Sequence, residues 1–277
     1  MAAPTPDAGS TVASRNPVLN PRVFAFTGPG GSAPPVTAPG GVRGRTGAGG
    51  AQTFSVDGTV SKTAILLLLL VASAGFTFSR TLGEDGAPQP GAFGLVIGAA
   101  LVGFVIALVI TFRPNLAPVA SPIYALVEGV FVGGISAVYS ASYGGIVPQA
   151  VGLTVAVLAV MLVLYRTRVI RVTQRFRSIV VTATGGILVL YLATFALSLF
   201  GVEVPFLHDG GPLGIGISLL IVGIAAANLL LDFDFIEQAA NGGADPRLEW
   251  YGAFGLVVTL VWLYLEILRL LSRLRSN

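Results

Sequence analysis

The chain has 277 residues, 54% of them hydrophobic and only 10% charged, with a net charge of +3. Soluble domains carry roughly 25% charged residues, so this composition belongs to a polytopic membrane protein. The absence of cysteine excludes disulfides, thiolate catalysis and thiolate metal sites, and the single histidine, His208, excludes a histidine-cluster metal site within one chain.

Residues 1–60 are rich in Gly, Pro, Ala, Ser and Thr, as in TGPGGSAPPVTAPGGVRGRTGAGG. Such a stretch buries too little apolar surface to offset chain entropy, and it is expected to form a disordered tail before a transmembrane domain at 61–277. It does not read as a signal peptide, because the first apolar run starts only near Thr63. Seven runs of spanning length follow, at 63–78, 91–112, about 119–139, 146–165, 178–200, 212–231 with a continuation to about Ala240, and 250–271. Each needs about 20 residues to cross the hydrocarbon as a helix. None alternates with the period of a barrel strand, so the fold class is all-α, a seven-helix membrane bundle.

The connectors carry the topology signal. RTRVIRVTQRFR, between the fourth and fifth spans, holds Arg166, Arg168, Arg171, Arg175 and Arg177. It falls on the same side as Arg113, Arg247 and the Arg43, Arg45 and Lys62 that precede the first span. Counting positive charges puts the N-terminus in the cytoplasm, and Arg in excess of Lys with heavy Ala and Gly suggests a GC-rich bacterial genome and so a bacterial inner membrane. Seven spans then put Arg269, Arg273 and Arg275 outside, which conflicts with the same rule. Small residues crowd several spans, among them Gly98, Gly103, Gly129, Gly133, Gly134, Ser136, Gly185, Gly186, Gly214 and Gly216, and read as close-packed helix faces.

Carboxylates stand where spans should have none. Glu128 lies in YALVEGVFVGG, Asp232 and Asp234 in NLLLDFDFIEQ, and Glu266 in VWLYLEILRLL. A charge in hydrocarbon costs a few to ~10 kcal/mol and usually faces a bundle interior or a water-filled path. At 1.5 Å per residue, Glu128, Asp232, Asp234 and Thr259 can share one level, whereas Glu266 lies roughly 24 Å from that face. Asp234 and Glu237 also read as a solvated helix end, Asp232 and Glu128 as partners of nearby hydroxyls, and Glu266 as an i, i+3 partner of Arg269. Clustered acids in a low dielectric cannot all ionise and titrate as a coupled set. They also make a weak oxygen site for Ca²⁺, for which Asp232 and Glu128 are the candidate ligands, and weak binding suits conduction. GxSxG, HExxH and Walker A signatures are absent, so no enzyme and no cofactor is expected. The arginine-rich connector reads as an anionic-lipid contact or topology signal rather than a nucleic-acid patch.

The strings SPIYALVEGVFVGGISAVY, GIVPQAVGLT, LYRTRVIRVTQRF and NLLLDFDFIEQAANGGADPRLEWYGAFGLVVTLVWLYLEILRLL resemble the Bax inhibitor-1 family, in its bacterial YccA-like branch, from about Ala117 onward. The resemblance implies six helices around a central last one. It implies, for some members, a pH-sensitive Ca²⁺ leak gated by acids on the sixth and seventh helices, and for others modulation of a membrane-bound AAA protease. Asp232, followed by Ile236, matches the sixth-helix acid. For the seventh helix two registers compete: one puts the second acid at Glu266, the other pairs Ala253 and Arg269 with family positions and puts Thr259 there. Depth favours Thr259, with Glu128 as a substitute partner for Asp232. No Lys or Arg in the second span is available to latch Asp232. Three functions follow as expectations: a pH-responsive cation (Ca²⁺) leak or exchanger, a non-conducting partner of a membrane protease, or a proton-coupled solute transporter.

Overall fold

The computed structural model describes residues 53–83, 89, 91–200 and 211–276. The expected tail up to residue 52, His208 and the prolines Pro88 and Pro90 lie outside the described residues.

Seven helices follow one another: α1 (Val56–Thr81), α2 (Ala92–Phe112), α3 (Ala117–Ser142), α4 (Ile146–Arg166), α5 (Gln174–Leu199), α6 (Pro212–Asn241) and α7 (Leu248–Arg275). All seven are long and apolar enough to cross a membrane. The helices match the apolar runs because in lipid each backbone polar group must be satisfied within its own segment.

Helix α1 starts at Val56, earlier than the apolar run at Thr63 and inside the stretch assigned to the tail. Its first turn is polar and is held by capping: Ser55 accepts a hydrogen bond from the Gly58 amide at 2.9 Å. Pro212 opens α6 at a position where its missing N–H costs no helical bond. That helix runs straight through Asp232 and Asp234 to Asn241.

The last helix lies at the centre. Helix α7 packs against α1, α3, α4 and α6, and its Ala253, Val257, Leu263 and Leu268 are completely buried. Only α6 among the helices packs extensively on α5. The tightest crossing is that of α1 on α3. A Cβ at Gly133 would overlap the Ala74 backbone, and one at Gly129 would press on the Leu70 carbonyl. Ser73 donates to the Leu126 carbonyl across the same crossing at 2.7 Å. Lipid tails are as apolar as Leu side chains, so close backbone approach and interhelical hydrogen bonds hold such a pair. The other small residues divide. Gly103 and Gly134 also have side chains against them, while Gly98, Gly185, Gly186 and Gly216 have nothing within 4 Å.

Candidate functional site

The seam between α6 and α7 holds Asp232. Thr259 of α7 is the polar side chain beside its carboxyl. Gly255, one turn before Thr259, faces the carboxyl: a Cβ there would be in ordinary van der Waals contact with Oδ1, at 3.7 Å. The other oxygen, Oδ2, is buried and has no hydrogen-bond partner among the described residues. It is the side-chain oxygen in the described core that stands this way, and such groups call for an explanation because an unmet buried acceptor costs about 1–3 kcal/mol. One turn earlier on α6, Asn228 donates to Thr184 of α5 at 2.8 Å, which turns a polar stripe of α6 toward its neighbours.

Glu128 of α3 is buried elsewhere. Tyr124, one turn before it, is the polar side chain beside it, and its Oε2 lies against Gly103 of α2, where a Cβ would come within 2.8 Å. Tyr124 also packs edge-on against Phe254, with ring centroids 5.0 Å apart. Thr259, rather than Glu128, is the side chain beside Asp232. Among the described residues no three acidic or histidine side chains gather as a metal site.

Glu266 is separated from Thr259 by about 10 Å along α7 and belongs to a different network. It is 2% exposed and ion-paired with Arg269 at 3.0 Å. The Tyr191 hydroxyl of α5 donates to it at 2.7 Å and the Trp262 ring N–H at 3.3 Å. Arg269 also bonds Tyr191 and lies over its ring. The i, i+3 pairing read from the sequence is thus present, with Tyr191 as a third member.

Asp234 and Glu237 hold the arginine-rich connector. Asp234 pairs with Arg177 at 2.7 Å and accepts from Gln238 at 2.5 Å. Glu237 pairs with Arg168 at 2.9 Å and accepts from the Tyr165 hydroxyl. The expected solvated helix end is instead a clamp on the α4–α5 connector.

The three arginines near the end of α7 all bond to other parts of the protein, Arg273 in the buried interior and Arg275 at the surface. Beside Arg269, Arg273 donates to the Gly214 carbonyl and to Ser218 at 2.7 Å, and Arg275 to the Gly144 carbonyl at 2.7 Å and to Gln149 at 2.9 Å. Their presence therefore has a packing reason independent of the charge rule that they oppose.

Glu249 went unnoticed in the sequence. From the first turn of α7 it accepts from the Ser55 amide at 2.7 Å and hydroxyl at 2.9 Å, and it pairs with Lys62. Lys62 also lies 5.7 Å from the Trp250 ring centroid. Glu249 pins the start of α1 to the start of α7. An acid in the first turn of a helix was a visible signal, but one that favours the helix dipole without naming a partner far away in the chain.

The model of the Bax inhibitor 1 like family matches residues 28–276. The chain belongs to that family. No curated protein and no solved structure matches it. Family membership and seven apolar helices make it a multi-pass membrane protein, in contact with the lipid bilayer. The match also spans the α6–α7 seam, so Asp232 and Thr259 lie within the family region.

Proposed function

We propose that the protein is a non-enzymatic, pH-responsive cation leak of a bacterial plasma membrane, of the YccA-like kind, with Ca²⁺ as the transported ion and Asp232 as its sensor. The observation that carries this reading is the buried, unpartnered Oδ2 of Asp232 on the seam between α6 and the central helix. A carboxylate charge at that depth is costly where, among the described residues, a threonine hydroxyl is the polar group beside it. The cost is removed by a proton or by a cation that takes the place of the missing donor. Competition between the two makes the seam respond to pH. A lone acid with a hydroxyl binds a hard cation weakly, as conduction requires. On this reading the seam works with one carboxylate, with Thr259 of α7 rather than a second acid beside Asp232.

The test is Ca²⁺ flux into proteoliposomes across a pH series. The native protein should give a flux that changes with pH, and Asp232→Asn should give one that does not. A pH-dependent flux unchanged in Asp232→Asn would refute the sensor. No flux from the native protein at any pH would favour the protease-modulator reading instead.

A further inference from the structure

Two cavities lie end to end between α1 and α4. One, of about 390 Å³, is apolar, with Val71 and Phe78 of α1, Val151 and Val155 of α4, and Val132 and Tyr264 on its floor. The other, of about 780 Å³, is lined by Thr59 and Thr63 of α1, Tyr165, Arg166 and Arg168 at the end of α4, and Glu237. Leu67 and Leu158 line both, so the two form one groove. It exists because α1 and α4 each pack on α7 but make no extended contact with each other. From Thr59 to Phe78 the groove follows α1 for about 28 Å, close to the ~30 Å hydrocarbon thickness.

Its two ends differ in chemistry. Val71, Val151 and Val155 are 64%, 48% and 58% exposed, an apolar surface that suits an acyl chain. At the other end Arg166 is exposed and has no hydrogen bond or ion pair among the described residues, and the Arg168 side chain is 68% exposed despite its pair with Glu237. Arg168 is also the described non-glycine residue with a positive φ, 58°. Such a conformation costs of order 1 kcal/mol and persists where the surroundings require it. Here it follows directly on the end of α4, with the guanidinium held by Glu237 at the groove mouth. The mouth thus carries two cations against one anion, where an ordered phosphate would be met by guanidinium donors.

The geometry points to a lipid site: the α1–α4 groove holds one anionic glycerophospholipid of the surrounding bilayer, its acyl chain along Val71 and Val155 and its phosphate between Arg166 and Arg168. Charge complementarity at the mouth selects an anionic headgroup over a zwitterionic one. Neither Asp232 nor Thr259 lines the groove, so the site stands whether or not the protein conducts.

Native mass spectrometry of the delipidated full chain in detergent tests this, with phosphatidylglycerol and phosphatidylethanolamine of identical acyl chains as probes. One phosphatidylglycerol should be retained, about fivefold more strongly than phosphatidylethanolamine. Arg166→Gln with Arg168→Gln should remove that preference. Val155→Trp, which fills the apolar part from an exposed position, should lower retention of both lipids. Equal retention of the two lipids, unaltered by the arginine pair, would overturn the site. So would dimers that Val155→Trp dissociates with no lipid bound, since a second copy would then be the occupant. Arg166→Gln alone leaves the Glu237 clamp intact and keeps the test available if the double variant does not fold.

Discussion

Asp232 and Glu266 are both acids that face the buried interior of the helix bundle, and they live differently. Glu266 has a guanidinium, a phenol and an indole N–H around it. Asp232 has a threonine hydroxyl and one oxygen left over. Glu266 ties α5 to α7 and has no capacity to spare. Asp232 has a free acceptor on the seam beside the same central helix. The difference teaches that an acid within a span is not in itself a site: the number of its donors separates a rivet from a sensor.

Breaking the satisfied side should cost most. Arg269→Leu removes the cation from a buried carboxylate, and unfolding of the purified protein in detergent should show a loss of about 3 kcal/mol. Glu249→Ala should cost about 2 kcal/mol in the same assay, because Ser55 and Lys62 both lose their acceptor. Thr259→Val takes away the remaining donor of Asp232, and about 1 kcal/mol should be lost. Asp232→Asn comes last, with a change below about 0.5 kcal/mol, since it trades an unmet acceptor for a neutral amide. A loss in Asp232→Asn as large as that in Arg269→Leu would erase the contrast between the two acids. A stabilised Asp232→Asn would sharpen it.

The spans were legible because hydrocarbon enforces helices wherever about 20 apolar residues run together. The start of α1 was not, because its first turn is polar and is held by Glu249 from the far end of the chain. Depth counted along helices, a local property, puts Thr259 at the level of Asp232, and the two side chains are neighbours. The pairing of Glu266 with Arg269 was readable for the same reason, three residues apart on one helix. Asp234 with Arg177 and Glu237 with Arg168 were out of reach, since only the return of α6 beside the connector joins them. Glu128 shows the limit of depth alone: acids at one level need not face one another, and Glu128 has Tyr124 and Gly103 for neighbours rather than Asp232.

The helix at the centre of the bundle is also the one that follows all the others in the chain. During synthesis α1 through α6 enter the membrane before the element that they enclose, and helices associate in lipid only after insertion. Until α7 arrives, Asp232 lacks the hydroxyl that partners it, and Ser55 and Lys62 lack their acceptor. Assembly is thus back-loaded: a chain without α7 leaves the acid of α6 and the start of α1 without the groups that meet them in the complete bundle.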